Sequence, residues 1–234
     1  MKASNQQPSG PSTESKPDPE FIAQQLRRPS GDFAPEIGQK MNQVNKPLYD
    51  LTIEVMELQK GDRILEIGFG NGKFFDELFA NQSELKISGI DFSEAMVEAA
   101  KDYNREVITS GKLEIKAGSS AAIPFPDQTF DKVFCNMVIY FWDQPKEHLK
   151  EIRRVLKAGG TFYTGIRTRE SMHVFPFVEY GFNLFSTEEW EEILDKNGFS
   201  LLSTHSRMDP EMDFEGNRLR LESCCIVAGK TGEL

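Results

Sequence analysis

Hydrophobic and polar positions change period at one point in the chain. From Glu20 to Leu58 apolar residues recur every three or four positions. Phe21, Ile22 and Leu26 come first; after Pro29-Ser30-Gly31 come Ile37, Met41, Val44, Leu48, Leu51, Val55 and Leu58. This spacing keeps one face of a helix apolar, so two helices are predicted ahead of Gly61-Asp62, which breaks the pattern. Beyond it, short apolar runs alternate with amphipathic stretches. Strands are predicted over 63–67, 86–90, 113–117, 132–135 and 160–165, and helices over 72–79, 93–103 and 148–156, with Ser93 as a cap. Strand and helix in alternation predict an α/β fold, a mostly parallel sheet covered by helices on both faces. A further helix over 187–197 starts with capping-box chemistry at Ser186-Thr187-Glu188-Glu189 and ends at Gly198. Two closing strands, 199–206 and 219–228, read as an antiparallel hairpin across a polar loop.

Composition sets the limits of this picture. Residues 1–19 hold four prolines among Ser, Gln and Lys and have almost no large apolar side chain, so they are expected to form a flexible tail. The helices of 20–60 are expected to form a lid or cap on one domain spanning 61–230. A net charge of −10 and the lack of a long Lys/Arg run disfavour a nucleic-acid backbone as partner. The longest apolar stretch, 133–142, is about half as long as a bilayer requires, so no membrane partner is expected. The N-terminus carries no apolar leader core, and three cysteines are too few for a disulfide framework. A cytoplasmic protein, monomer or homodimer, is expected.

The most informative segment is Ile64-Leu65-Glu66-Ile67-Gly68-Phe69-Gly70-Asn71-Gly72-Lys73, an apolar strand running through a glycine turn into a helix. Glycines there let the backbone turn sharply and let a ligand approach main-chain N–H groups. A nicotinamide fingerprint would have its third glycine where Lys73 stands. The same segment also reads as nothing more than a tight strand-to-helix turn. Asp91, at the end of the next predicted strand, shifts the balance. A doubly wound sheet sets such a carboxylate beside the glycine turn, where it can accept hydrogen bonds from both ribose hydroxyls of an adenosyl ligand. Phe92 can lie against an adenine or belong to the core.

These residues resemble the class I S-adenosylmethionine-dependent methyltransferases, especially those acting on small molecules. The resemblance rests on 65–72, on Gly89-Ile90-Asp91-Phe92-Ser93-Glu94-Ala95-Met96, on Ile123-Pro124-Phe125-Pro126-Asp127-Gln128-Thr129-Phe130-Asp131 and on Arg154-Val155-Leu156-Lys157-Ala158-Gly159-Gly160. It implies a Rossmann-like sheet of seven strands in the order 3-2-1-4-5-7-6, with strand 7 antiparallel. It further implies that Glu66, Gly68, Gly70 and Gly72 surround the methionine part of the cofactor and that Asp91 binds its ribose. Ser119 stands where the family usually has an Asp for the adenine amino group, so the backbone of Ser120 takes more of that contact. Asn136 matches a residue that often meets the methionyl group, and reads equally well as a polar strand end.

Methyl transfer from a sulfonium is an in-line displacement that needs alignment more than a dedicated base. Where a base is needed, Tyr140 and Asp143 after strand 4 and Arg167 and His173 after strand 5 are the candidates; Tyr140 and His173 are taken as the catalytic pair. His148 and His205 read as structural, and no metal set emerges. Met41, Asn42 and Asn45 are expected to line the lid, while the aromatic segment 171–185 either walls an acceptor pocket or packs as a loop. The function expected is methyl transfer from S-adenosylmethionine, leaving S-adenosylhomocysteine, to a small-molecule acceptor. The alternatives are a non-catalytic S-adenosylmethionine-binding protein, a protein methyltransferase and an NAD-dependent oxidoreductase.

Overall fold

The computed structural model describes residues 17–214 and 216–232. Five strands run parallel: β1 (Arg63–Ile67), β2 (Lys86–Asp91), β3 (Leu113–Ala117), β4 (Phe130–Asn136) and β5 (Leu156–Arg167). Later in the chain come β6 (Phe199–Met208), the short strands β7 (Met212–Phe214) and β8 (Asn217–Leu219), and β9 (Glu222–Lys230). The main sheet has the order β3-β2-β1-β4-β5-β9-β6, with β9 antiparallel to both neighbours. This is the expected seven-stranded order, β9 being the seventh strand.

Side chains alternate across the sheet as a two-residue period requires. On one face Leu65, Ile67, Val133 and Cys135 pack with Leu149 and Ile152 of α6 (Pro145–Val155) and with Trp190 and Leu194 of α8 (Thr187–Lys196). On the other, Ile64 and Phe134 pack with Leu51, Ile53 and Met56 of α2 (Ala34–Met56), with α3 (Phe75–Asn81) and with α4 (Glu94–Tyr103). Both predicted caps form: the Ser93 hydroxyl accepts from the Met96 N–H, and Ser186 and Glu189 close a capping box.

Several boundaries move for local reasons. The turn after β1 extends to Phe74, so α3 starts at Phe75; α6 starts at Pro145, a residue suited to a first helical turn. Strand β5 is longer than predicted because Leu156 pairs with Phe130 before a register shift that sets Lys132 against Thr161. The polar loop between the closing strands folds into the β7–β8 ribbon. The predicted tail lies mostly outside the described residues, but its last residue, Pro19, opens helix α1 (Pro19–Arg27), whose first turn Asp18 caps. Among the described residues no helix is long and apolar enough to cross a membrane.

Candidate active site

The carboxyl ends of β1, β2 and β4 open into a cavity of about 450 Å³. Its floor is the glycine turn. The Gly68 N–H donates to Ile90 O at 2.8 Å, which ties the turn to the end of β2. Gly68 has φ +76°, and a Cβ there would lie 2.4 Å from Val138 Cγ2, so only glycine fits. Gly72 serves differently: a Cβ would strike Ala100 and Asn104 at 2.7 and 2.9 Å, so this residue lets α4 pack close and does not line the cavity.

Asp91 is the polar centre of the floor. Its Oδ2 accepts from the Gly70 N–H and its Oδ1 from the Ser93 N–H, each at 2.9 Å. An ionised carboxylate offers about four lone-pair sites, so both oxygens can still accept from a ligand. Burial lifts the Asp91 carboxyl to about 6 against the pull of those backbone donors. Glu66 points to the α2–α4 face of the sheet. It is 1% exposed, its Oε1 has no partner among the described residues, and burial, reinforced by Asp91, raises its carboxyl well above the ordinary range. It sits beneath the turn rather than on the cavity wall.

At one end of the cavity, Phe92 is exposed, with the Arg28 guanidinium 5.4 Å from its ring centre, and Ser119 and Ser120 complete the wall. The Ser120 hydroxyl lies 2.7 Å from His148 Nδ1, and the His148 ring stacks on Trp142 at 4.6 Å. Burial holds the His148 imidazole below its ordinary pKa. Toward the other end stands Asn136: Thr52 Oγ1 lies 2.9 Å from both its Oδ1 and Leu48 O, while its Nδ2 is buried without a partner among the described residues. Met137, next along, has φ +61°, uncommon for a side chain of its kind, and is held there by an N–H bond to Gly165 O. The roof comes from α1 and from the first half of α2, which bring Arg27, Met41, Asn42 and Asn45 to the wall.

Of the predicted residues, Gly68, Gly70, Asp91, Phe92, Ser119, Ser120 and Asn136 meet around this cavity. Tyr140 and His173 do not. The Tyr140 side chain is fully buried, its oxygen 2.6 Å from both the backbone N and O of Arg167, and burial pushes the phenol far above its usual range. His173 is an exposed residue closing helix α7 (Arg169–Met172). Neither is placed to take a proton in the cavity. The aromatic segment packs elsewhere too: Phe175, Phe177 and Phe182 cluster with Leu221 and the β7–β8 ribbon. His148, which the sequence reads as structural, stands on the cavity wall, because the helix begun at Pro145 sets it in the first turn beside the strand ends. Among the described residues no group of three or more His, Cys, Asp or Glu is placed to hold a metal ion.

A sheet of this order, with a glycine turn and a buried carboxylate at its carboxyl edge, is the framework on which Rossmann-like folds hold nucleoside cofactors. Comparison with known proteins narrows the class. A family model described as a methyltransferase domain matches residues 65–164. The uncharacterized methyltransferase YdaC of Bacillus subtilis is 32% identical over 127 residues, 54% of this chain and 68% of that protein. The uncharacterized protein MJ1123 of Methanocaldococcus jannaschii is 32% identical over 179 residues, covering 72% and 80%. Among solved structures, a chain in the complex of the Haloferax volcanii Trm112 methyltransferase activator superposes with a TM-score of 0.74 over 90% of this chain and 98% of its own; at 20% identity it shows the shared fold alone. The chain belongs to the class I S-adenosylmethionine-dependent methyltransferases and is an enzyme of that family.

Proposed function

We propose that the protein transfers the methyl group of S-adenosylmethionine to a small-molecule acceptor inside the cavity. The observation that carries this is the roof: α1 and the first half of α2 cover the strand ends, with Leu26, Arg27 and Asn45 in the wall. An acceptor reacting under such a cover must fit beneath two helices, and the cavity volume is that of a small-ligand site. The overall negative charge points the same way.

The residues fit the cofactor that the family implies. Asp91 retains acceptor capacity on both oxygens for ribose hydroxyls, the Asn136 amide nitrogen lacks a partner among the described residues, and the bare Gly68 backbone leaves room for a ligand. Ser119, Ser120 and Phe92 would border the adenine, and Gly68, Gly70 and Asn136 the methionyl part. When bound, the cofactor supplies an electrophilic methyl group on a sulfonium. The chain's part is to align and to exclude water. Where α2 faces β4, the wall is Asn45, Tyr49, Asn136, Met137 and Val138, amides and apolar groups with a single phenol. That stretch of the wall holds no carboxylate or imidazole to remove a proton, which suits an acceptor that arrives as a competent nucleophile; Asp143, Glu147 and His148 line the cavity on the α6 side.

The test is to incubate the protein with methyl-labelled S-adenosylmethionine and a cell extract split into small-molecule and macromolecular fractions. Label in the small-molecule fraction is expected, and label confined to protein or nucleic acid would overturn the acceptor class. Stabilisation in a thermal melt by S-adenosylhomocysteine and not by NAD is expected alongside. Binding without any transfer would favour a non-catalytic role.

A further inference from the structure

Arg167, the last residue of β5, is 1% exposed, and Asp209, just beyond β6, is 4% exposed. Asp209 Oδ2 accepts from Arg167 Nε at 3.2 Å and from Nη2 at 2.7 Å. Apolar side chains of similar volume commonly stabilise a fold as well as a buried ion pair does, so stability alone does not account for this one. The rest of the guanidinium shows what it holds. Nη2 also donates to Val44 O at 2.7 Å, and Nη1 to Asn45 Oδ1 at 3.0 Å.

Both acceptors lie in α2 just before Pro47, which interrupts the helical hydrogen-bond ladder. Before this proline, Gly38, Met41, Asn42 and Asn45 line the cavity; after it, Leu48, Leu51, Ile53 and Met56 are core. Arg167 therefore grips the roof half of α2 where it leaves the core. A guanidinium has donors only, so the Asn45 atom facing it must be the amide oxygen. That fixes the amide orientation. The nitrogen Nδ2, which makes no hydrogen bond among the described residues, is left to the cavity that Asn45 lines.

We infer that Arg167, braced by Asp209, is a positioning residue that locks the Asn45 amide with Nδ2 as a donor for the carboxylate at the amino-acid end of the bound cofactor. This rests on the cofactor reading above. Placement selects that end. Asn45 shares its helix with Met41, whose methyl group lies 4.0 Å from where a Gly70 Cβ would stand, and with Thr52, which reaches Asn136. Asp91, Phe92 and Ser120 mark the nucleoside end.

The test compares calorimetric binding of S-adenosylhomocysteine with that of 5′-methylthioadenosine, which keeps the nucleoside and thioether but lacks the amino-acid group. Asn45→Ala is expected to weaken S-adenosylhomocysteine roughly tenfold or more, as for a lost bond to a charged group, and to leave 5′-methylthioadenosine within about twofold. Arg167→Met combined with Asp209→Leu removes both charges together, so none is left buried alone. It is expected to reproduce the selective loss, with no further loss when Asn45→Ala is added. Asn45→Ala alone keeps the proposal testable if the double variant does not fold. An unchanged ratio of the two affinities in Asn45→Ala, equal weakening of both ligands by the double variant, or additive losses would overturn the assignment. Failure of the unaltered protein to bind S-adenosylhomocysteine would overturn the cofactor reading and this assignment with it.

Discussion

Beneath the cavity, Gly68, Gly70 and Asp91 are held by hydrogen bonds donated by backbone N–H groups, to Ile90 O and to the Asp91 carboxylate, inside one strand–turn–strand unit. Above it, Arg27, Pro29, Asn42 and Asn45 are held by side-chain contacts to partners 29 or more residues away: Asp143, Ser93, Asn71 and Arg167. The floor is preformed because the backbone that builds the sheet also shapes the turn. The roof depends on a few latches of unequal burial. Floor substitutions should therefore weaken binding most, and the loss from a roof substitution should follow how deeply its latch is buried.

The largest effect is expected for Gly68→Val. A β-branched residue at φ +76° is strained, and its Cβ would stand 2.4 Å from Val138 Cγ2. S-adenosylhomocysteine binding should fall below detection in calorimetry, and denaturant melts should show a stability loss of about 3 kcal/mol or more. Full binding by this variant would remove the rigid floor from the comparison.

Asp91 comes next. Asp91→Ala should weaken S-adenosylhomocysteine by about 1.5–3 kcal/mol, the scale of a hydrogen bond to a charged group. The pH dependence is more telling. Ribose hydroxyls donate to the ionised carboxylate, which burial allows only above about pH 6. Affinity should rise between about pH 5 and 7 and then level, and Asp91→Asn should remove that rise. The ligand-free protein should behave in the opposite sense. A carboxyl whose folded pKa is raised keeps its proton longer than in the unfolded chain, so stability should fall as pH climbs from about 4 to 6. Glu66, raised by burial and then by Asp91, acts in the same direction. Melts across this range, with and without Asp91→Asn, check the sign.

Ser93 joins floor to roof. Its hydroxyl donates to Pro29 O at 2.6 Å and accepts from the Met96 N–H, in a residue 1% exposed. Ser93→Ala should cost about 1–2 kcal/mol of stability, a lost cap together with an orphaned carbonyl, and weaken S-adenosylhomocysteine severalfold. Stability lost with affinity intact would separate α1 from the cavity.

The same contrast explains what could be read from the sequence. Gly68, Asp91 and the Ser93 cap announce themselves through local spacing, and the order of strands follows from the alternation that carries them. The contacts of Arg167 with Val44 and Asn45 bridge more than a hundred residues and leave no periodic trace. Tyr140 stands at the correct sheet edge, but its phenol turns into the core to meet the Arg167 backbone, a choice of side-chain direction that position does not reveal. The aromatic segment reads two ways, as pocket wall or as loop packing, for a related reason. Its partner is the β7–β8 ribbon, hidden in a stretch that reads as a polar loop.

The smallest effect belongs to the exposed latch. Arg27 Nη2 lies 3.5 Å from Asp143 Oδ2 and 3.4 Å from Phe141 O, with side chains 42% and 78% exposed for the ion pair. Such a pair spends side-chain entropy on a screened attraction and contributes little. Arg27→Ala should change S-adenosylhomocysteine affinity by less than about fivefold at low salt, and by less still at high salt, in paired calorimetric titrations. Ser93 and Arg167, both buried, would then carry the closure of the roof. A tenfold loss that salt does not soften would mean that the exposed latch holds the roof as firmly as the buried ones, and the ranking of latches by burial would fail.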